Sequence, residues 1–266
     1  HVGGGGDPVR IAFSALRAGD GRRLGLIAVC EDLTTFREME RRVRQADRLA
    51  TLGRMAANIA HEIRNPLASM TGAIEALAAN LGAVEERDRL AQIVLRESDR
   101  LNDIIKSFLE YARPAPLAVE TIDVAEALDE VLVLLEHRAG PGPGLKVVRD
   151  FPAPLAWRLD PQQFRQAVWN LCLNAVEAMP DGGELRVGAE VHRRRLEVSV
   201  ADTGDGIASA ELSHLFEPFF STKPHGSGLG LALVHRIVQD HGGEADVRSA
   251  PGMGTTFTLT FPARDA

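Results

Sequence analysis

The residues "AHEIRNPLASM", Ala60–Met70, place a histidine within a helical pattern of apolar side chains. If Ile59 and Ile63 lie on the buried seam of that helix, His61 lies on its outward face. Asn65 follows one turn later on the same flank. The stretch therefore predicts an exposed histidine with a polar amide beside it, an arrangement suited to chemistry more than to packing.

The helical pattern continues on both sides of this stretch. One helix is predicted from about Leu33 to about Leu81, and a second, amphipathic helix from about Val84 to Ala112. The predicted apolar face of the second helix consists of Leu90, Val94, Leu101, Ile105 and Phe108. A hairpin of two such helices cannot cover its own apolar stripe, so two hairpins are expected to pair as a four-helix bundle and a homodimer.

The first fifty residues combine a short sheet with the start of the first helix. Arg10–Leu16 and Arg22–Cys30 alternate apolar and polar residues around a turn, which predicts a β-hairpin. Two strands alone are marginal in water, and the exit "VCEDLT" resembles the end of a PAS domain. A register change between Ala46 and Leu49 is typical either of a surface helix with an irregular stripe or of a dimeric signalling helix with two packings of similar energy.

From about residue 115 the pattern becomes mixed α/β. Asp160 and Pro161 are predicted as the N-cap and first residue of a helix that stops at Pro180. The other predicted elements are helices over Val124–Arg138 and Leu229–Gln239, strands over Lys146–Asp150, Leu155–Leu159, Glu184–Val191 and Leu196–Ala201, and a hairpin through "SAPGMGTTFTLTF". This order predicts an α/β sandwich of about 145 residues.

Three stretches of this second domain combine into one nucleotide site. Asn174 follows Asn170 by one turn in "NLCLNAVEAM", and an amide oxygen is a suitable ligand for Mg²⁺. Asp202 in "ADTGDGI" ends a strand, where its carboxylate can accept from an adenine amine, while Gly204 and Gly206 let the backbone approach the base. The turn "GSGLGL" opens a helix whose free N–H groups and dipole favour phosphate.

Each of these stretches also has an ordinary structural explanation. A helical asparagine can bond to a neighbouring element, "DTGDG" is a common turn, and a glycine-rich turn alone is a weak motif. A Rossmann site is excluded because the glycines follow a long loop and no strand, and a Walker site because "GSGLGL" lacks the following Lys and Ser/Thr. The order and spacing of the three stretches therefore decide the interpretation.

Five motifs in this order resemble the transmitter core of bacterial sensor histidine kinases: "HEIRNPL", "NLCLNAVEAM", "DTGDGI", "FEPFFSTK" and "GSGLGL". The first of them, combined with "FEPFFSTKPHGSGLGL", is most similar to the nitrogen-regulation and pilus-type kinases. The resemblance implies a multidomain α and α+β chain, with a helical-hairpin four-helix-bundle dimer followed by an α/β sandwich ATP-binding domain of the GHKL (Bergerat) type. The implied segments are a partial PAS-like sensory tail (1–32), a signalling coiled-coil helix (33–50), a dimerisation and histidine phosphotransfer domain (51–114) and a catalytic ATP-binding domain (115–266).

The resemblance also implies roles for single residues. His61 is the expected phosphoacceptor, Glu62 orients its ring or takes its proton, and Asn65 positions the water that dephosphorylates a partner regulator. ATP and Mg²⁺ are the expected cofactors, with Asn174 as the metal ligand. The further expected nucleotide contacts are Asn170, Asp202, Gly204, Gly206, Lys223, Gly226, Gly228, Leu229, Gly230 and Thr255, the last reaching the adenine through water.

A lid over the nucleotide is expected at about residues 208–227. Asn170 stands where related ATPases carry the glutamate that activates water, which implies phosphoryl transfer over hydrolysis. Glu177 would repel phosphate, so a cationic contact is expected from Lys223 or His225. The aromatic residues that either anchor this lid or pack as ordinary core residues are Phe216, Phe219 and Phe220.

Composition restricts the partners of the chain. The formal net charge of -7 gives no general attraction to DNA, so direct nucleic-acid binding is not expected. No stretch approaches the roughly 18 apolar residues of a membrane span, which predicts a cytoplasmic chain, or the cytoplasmic part of a sensor anchored by a segment outside it. Cys30 and Cys172 lie in apolar runs and predict buried thiols in a reducing compartment.

Three functions remain open from the sequence. The preferred one is an ATP- and Mg²⁺-dependent protein-histidine kinase that phosphorylates His61 and transfers the phosphoryl group to an aspartate of a response-regulator receiver domain. The second keeps the fold but makes the chain an ATP-binding interaction module or a serine kinase of the same superfamily. The third is a form dominated by phosphatase activity toward its regulator.

Overall fold

The computed structural model describes residues 9–19, 21, 23–35, 39, 59–60, 62–78, 84–112, 117–139, 144–223, 226 and 228–263. The chain divides into two units, His1–His61 and Glu62–Ala266. The predicted phosphoacceptor His61, the register change between Ala46 and Leu49, and the lid residue His225 lie outside the described residues.

The first unit contains the predicted β-hairpin. Strand β1, Val9–Arg17, pairs antiparallel with strand β2, Arg23–Asp32. A two-stranded sheet has no second layer, and apolar side chains of both strands are exposed among the described residues. The predicted burial of Cys30 is therefore wrong, because its thiol is exposed. Cys172 is buried in the second unit as predicted, and burial raises the pKa of its thiol to about 12.

The second unit begins with two helices. Residues 62–78 form α1, and Val84–Ala112 form α2 with the predicted bounds. Ile104 is 2% exposed, whereas Ile105, on the predicted apolar face, is 40% exposed, as expected of a hairpin that cannot cover its own apolar stripe. Within the described part of the chain, no helix combines the length and apolar character needed to cross a bilayer.

An α/β sandwich forms the rest of this unit. Its strands are β3 Glu120–Asp123, β4 Leu145–Asp150, β5 Ala156–Leu159, β6 Gly183–His192, β7 Arg195–Asp202, β8 Glu244–Ser249 and β9 Thr255–Pro262. Its helices are α3 Val124–Ala139, α4 Pro161–Glu177, α5 Ser209–Leu212 and α6 Gly230–Asp240. Five strands form a sheet in the order β4-β6-β7-β9-β8, in which β4 and β6 are parallel and the other neighbours antiparallel, while β3 pairs with β5.

Alternation along the central strands creates the core of the sandwich. Leu196, Val198 and Val200 of β7 are buried, whereas the residues between them are more exposed. The helices cover this face of the sheet, and the ring of Phe164 on α4 meets that of Phe261 on β9 edge-on, with centroids 6.0 Å apart. Strand β3 is not predicted from the sequence, because four residues are too few to show an alternating pattern.

Asp160 fixes the start of α4. Its Oδ1 accepts hydrogen bonds from the N–H groups of Gln162 and Gln163 at 3.1 and 3.0 Å, as expected of an N-cap. Its own N–H donates to Nε2 of buried His241 at 3.0 Å, and Nδ1 of His241 donates to the carbonyl of Ile237 at 2.7 Å. His241 is therefore neutral with its proton on Nδ1, and it connects the end of α6 to the start of α4.

Replacing His241 by alanine is expected to destabilise the sandwich by about 2–4 kcal/mol, because the Asp160 N–H loses its acceptor and a cavity opens. Urea unfolding followed by tryptophan fluorescence measures this, since both tryptophans, Trp157 and Trp169, lie in the sandwich. His192→Ala, at the exposed end of β6, is the matched control and should change the free energy of unfolding by less than about 0.5 kcal/mol. Equal losses in the two variants would contradict the connecting role of His241.

Candidate nucleotide site

Helix α4 brings the predicted motifs together. Asn170 and Asn174 lie one turn apart on it, and both are half-buried. A Cβ placed on Gly230, the first residue of α6, would lie 3.6 Å from Oδ1 of Asn170. Beyond the end of α4, the carbonyl of Ala178 accepts from the N–H of Asp205 at 3.1 Å. Helix α4 therefore carries both asparagines and contacts both the glycine-rich turn and the "DTGDG" loop.

The Asn174 side chain makes no hydrogen bond to another described residue, which leaves its amide oxygen available. The described ranges also contain no cluster of three or more His, Cys, Asp or Glu side chains able to hold a metal. A Mg²⁺ ion at Asn174 would take its other ligands from phosphate and water, and oxygen donors of this kind are the ones Mg²⁺ prefers. The donor set thus fits a nucleotide-bound Mg²⁺.

Asp202 lies at the end of β7 and is 9% exposed. Its Oδ1 accepts from the N–H groups of Gly204 and Thr255 at 2.9 and 3.2 Å, so Oδ2 is left as an acceptor for a ligand. Burial raises the pKa of this carboxyl, and the two N–H donors and the nearby charge of Lys223 oppose part of that rise. A partly desolvated carboxylate at this position suits a ligand that donates a hydrogen bond.

Gly204 and Gly206 shape the loop that follows Asp202. A Cβ on Gly204 would overlap the carbonyl of Ala178, and one on Gly206, whose φ is +69°, would overlap the carbonyl of Ala250. Both residues are glycine because the loop packs closely on the protein's own backbone. Their predicted approach to a base stays a prediction.

Thr255 begins β9 directly opposite Asp202 in the sheet. Its side-chain hydroxyl lies 2.9 Å from Oγ of Ser249, at the end of β8. Ser249 Oγ also accepts from the N–H of Ile207 at 2.8 Å and donates to the carbonyl of Gly254 at 2.9 Å. The sequence alone does not single out Ser249, because a serine before "APG" is ordinary turn composition.

Phe216, within the segment predicted as a lid, packs against the sandwich. The Phe216 ring stacks on the imidazole of His235 on α6, with centroids 4.9 Å apart and an interplanar angle of 24°, and it meets Phe257 edge-on at 6.4 Å. Burial lowers the pKa of His235. The packing of Phe216 agrees both with an anchor for a lid and with an ordinary core residue, whereas Phe220 packs on His214 and Phe219 has a φ of +67°.

Lys223 lies against the C-terminal half of α4. Its Nζ is 2.6 Å from Oε2 of Glu177 and 3.4 Å from the backbone carbonyl oxygen of Asn174. Both charged side chains are accessible to solvent, so their ion pair adds little stability. The positive charge of Lys223 nevertheless offsets the negative charge of Glu177, which would repel a phosphate. It also places a cation beside Asn174.

The glycine-rich turn leads into α6. Gly228 has a φ of +63°, and its carbonyl accepts from the N–H of Phe219 at 2.9 Å, while the N–H of Gly226 donates to the carbonyl of Lys223 at 3.3 Å. Leu229 is the buried N-cap, and its own side chain makes no capping hydrogen bond to the helix within the described residues. The N–H groups from Gly230 onward lie at the positive end of the α6 dipole, which favours an anion.

Glu62 and Asn65 are the described members of the predicted phosphoacceptor group. Asn65 is exposed, as its outward position predicts. Glu62 is half-buried, and its Oε2 is enclosed without a hydrogen-bond partner among the described residues. A buried carboxylate oxygen without a partner is energetically costly.

Comparisons with known proteins match both parts of the chain to described families. Residues 51–116 match the His Kinase A (phospho-acceptor) domain, and residues 159–265 match the histidine kinase-, DNA gyrase B- and HSP90-like ATPases. The chain belongs to the sensor histidine kinases. The predicted fold class and the assignment to protein-histidine kinases are thereby confirmed, and the ATPase family implies nucleotide use.

Relatives of this kinase core are similar over most of its length. Sensor histidine kinase ZraS of Klebsiella oxytoca is 39% identical over 227 residues, which are 85% of this chain and 49% of ZraS. Signal transduction histidine-protein kinase AtoS of Escherichia coli is 34% identical over 258 residues, which are 95% of this chain and 41% of AtoS. The chain thus spans about half the length of these relatives or less. The crystal structure of histidine kinase ThkA in complex with response regulator TrrA superposes with a TM-score of 0.75 and 28% identity, covering 96% of this chain and 75% of ThkA.

In this kinase core, the last turn of α2 contacts the ATPase sandwich. Arg236 of α6 donates to the carbonyl of Tyr111, and its guanidinium lies 5.4 Å from the centre of the Tyr111 ring. Gln166 of α4 donates to the carboxylate of Glu110 at 2.6 Å. The sequence does not distinguish these residues from ordinary helix-surface residues. Their contacts connect the phosphoacceptor hairpin with the two helices that carry the nucleotide motifs.

Proposed function

We propose that the chain is the catalytic core of a sensor kinase that uses ATP and Mg²⁺ to phosphorylate His61 and then transfers the phosphoryl group to an aspartate of a response regulator. The observation that carries this proposal is that the Asp202 loop, the Asn174 amide and the start of α6 all lie at α4, the Asn174 side chain making no hydrogen bond within the described residues. These groups suit a base, a metal and phosphates in that order.

The nucleotide is held by residues at the two ends of this arrangement. Oδ2 of Asp202 accepts from the adenine amine, and Thr255 reaches the base through water. The N–H groups at the start of α6, from Gly230 onward, bind the phosphates, and Leu229 and the preceding glycine-rich turn are expected to lie against them. Mg²⁺, held by Asn174, would neutralise phosphate charge at this end of the site.

His61 acts as the nucleophile. A neutral imidazole nitrogen attacks the γ-phosphorus, the bond from that phosphorus to the bridging oxygen breaks, and ADP leaves with the bonding electrons. The free oxygen of Glu62 takes the proton from the other ring nitrogen. Asn170 cannot take a proton from water because its side chain is an amide, which favours transfer to His61 over ATP hydrolysis.

A homodimer and a response regulator are the proposed partners. The helical hairpin leaves large apolar side chains exposed on both helices, among them Leu67, Ile74, Leu95 and Leu109, and a second hairpin would cover them as a four-helix bundle. The ThkA structure, solved with the regulator TrrA, supports a regulator as the acceptor. The exposed amide of Asn65 would position water for dephosphorylating that regulator. The PAS-like tail, the four-segment division of the chain and the cytoplasmic location stay predictions.

Replacing Lys223 by methionine is expected to weaken ATP binding about three- to tenfold, because the phosphates lose a cation beside Asn174. Glu177→Gln should leave the affinity unchanged or raise it, because it releases the lysine from its ion pair. Titration with a fluorescent ATP analogue measures both effects. Lys146→Met, which breaks the exposed ion pair with Glu184 in the sheet, is the matched control. Equal losses of ATP affinity in Lys223→Met and Glu177→Gln would mean that Lys223 acts through its ion pair with Glu177 and not by contacting the phosphates.

Phosphorylation chemistry separates the proposed activity from the alternatives. Incubation of the chain with ATP labelled at the γ-phosphate and Mg²⁺ should produce a label that acid removes and alkali does not. A phosphoramidate is hydrolysed in acid, whereas a phosphoserine survives it. Asn174→Ala and chelation of Mg²⁺ should each abolish the label. An acid-stable label would establish the serine kinase, and ATP binding without any label would establish the interaction module.

A further inference from the structure

Ser249 lies at the centre of a hydrogen-bond network beside the proposed adenine site. Its Oγ is within hydrogen-bond distance of the Ile207 N–H, the Gly254 carbonyl and the Thr255 hydroxyl, at 2.8, 2.9 and 2.9 Å. Thr255 in turn donates its backbone N–H to Asp202 Oδ1 at 3.2 Å. The network thus joins the loop after β7, the turn between β8 and β9, and the carboxylate.

The directions of these three bonds follow from the number of protons available. Ser249 has one hydroxyl proton, and the carbonyl oxygen of Gly254 can only accept, so that proton goes to Gly254. The Ile207 N–H can only donate, so it occupies one lone pair of Ser249. The remaining contact must use the proton of Thr255. The Thr255 hydroxyl is therefore left with lone pairs alone for any ligand.

We propose that Ser249 is a positioning residue that holds the Thr255 hydroxyl as a hydrogen-bond acceptor, so that the site selects a purine with an exocyclic amine over one with a carbonyl at the same position. The proposal rests on the proposed ATP site. Asp202, as a carboxylate, is also an acceptor only. Two acceptors side by side suit the amine of adenine, directly or through one water, and repel the carbonyl oxygen of hypoxanthine.

Selection against a wrong polar group is strong when the site cannot change its own donors and acceptors. In the native chain the Thr255 proton is engaged by Ser249, so the hydroxyl cannot turn to donate to a carbonyl. Ser249→Ala removes that acceptor and frees the proton. The threonine can then donate to a carbonyl or to a bridging water, and the penalty against hypoxanthine falls.

The test compares three nucleotides that differ only in the base: ATP, inosine triphosphate and the triphosphate of unsubstituted purine riboside. Their affinities for the full chain are measured by displacement of a fluorescent nucleotide. We expect Ser249→Ala to reduce the preference for ATP over inosine triphosphate about tenfold, the worth of about one hydrogen bond. Binding of purine riboside triphosphate relative to ATP should change far less. Ser199→Ala on β7, facing away from the helices, is the control and should leave all ratios unchanged.

Two further variants distinguish a positioning role from a loss of loop structure. Ser249→Thr keeps the hydroxyl and should retain the native preference. In a Thr255→Val background, Ser249→Ala should have no further effect on the ATP to inosine triphosphate ratio, because the hydroxyl that it orients is gone. This comparison remains valid if Ser249→Ala alone is poorly stable.

Each outcome decides the proposal. An unchanged ratio in Ser249→Ala with normal ATP binding would overturn it, and so would an equal change in the Thr255→Val background. Failure of the native chain to bind ATP would instead overturn the proposed function. Hydrogen exchange of the Ile207 amide gives a readout without nucleotide: it should accelerate in Ser249→Ala and not in Ser249→Thr, because the Ile207 N–H loses its acceptor only in the first.

Discussion

Replacing Asp202 by asparagine is expected to weaken ATP binding by about 10- to 100-fold, because the adenine amine loses a charged acceptor. The fold should be retained, since the amide oxygen of asparagine can still accept from the N–H groups of Gly204 and Thr255. Burial raises the pKa of the native carboxyl, so the charge at this position costs stability and its removal is tolerated. Calorimetric titration with ATP, beside a thermal unfolding curve, measures the two effects separately.

Asp205→Asn is the matched control for this variant. Asp205 lies in the same loop and is exposed, and it acts on Asp202 only through its charge, which is the smallest of the influences on the pKa of that carboxyl. The native chain should also lose ATP affinity as the pH falls, beginning above the range in which an ordinary aspartate titrates, because the protonated Asp202 no longer offers a charged acceptor. The Asp202→Asn variant should lack that pH dependence. Similar losses of ATP affinity in Asp202→Asn and Asp205→Asn would mean that the adenine does not bind at Asp202.

Replacing His61 by glutamine is expected to abolish the acid-labile label completely while leaving ATP affinity unchanged. Glutamine keeps a polar side chain of similar length, but it has no nucleophilic nitrogen. The label is measured after incubation with ATP and Mg²⁺, and the affinity by displacement of a fluorescent nucleotide. A loss of both would mean that the variant disturbs the ATPase sandwich.

His192→Gln is the matched control for this second variant, because His192 is an exposed histidine on β6 away from α4. It should retain the full label. Asn65→Ala offers a further comparison: we expect it to keep autophosphorylation and to lose dephosphorylation of the regulator. Any acid-labile label that persists in His61→Gln would show that another residue accepts the phosphoryl group.

The sequence predicts most of the fold because its local chemistry agrees with the tertiary arrangement. Asp160 followed by proline gives the start of α4, and the predicted bounds of α2 match the structure. The predicted burial of Cys30 is wrong because an apolar run in a two-stranded hairpin has no second layer to cover it.

The candidate site is predictable where one residue carries the chemistry alone, and less so where residues act in pairs. Asn174 and Asp202 follow from their motifs: Asn174 lies on α4, and the loop after Asp202 contacts the end of that helix. The ion pair of Lys223 with Glu177 joins residues 46 positions apart, so no local pattern indicates it. The same holds for Ser249, whose importance depends on strands and loops that meet only in the fold.

The most direct measurement is the chemical position of the phosphoryl group on the full chain after reaction with ATP and Mg²⁺. Phosphorus NMR at alkaline pH, combined with fragmentation of the peptide that contains residues 60–70, identifies both the bond and the residue. We expect one phosphoramidate, on His61. A phosphate ester, or a phosphoramidate on any other histidine, would contradict the proposed mechanism.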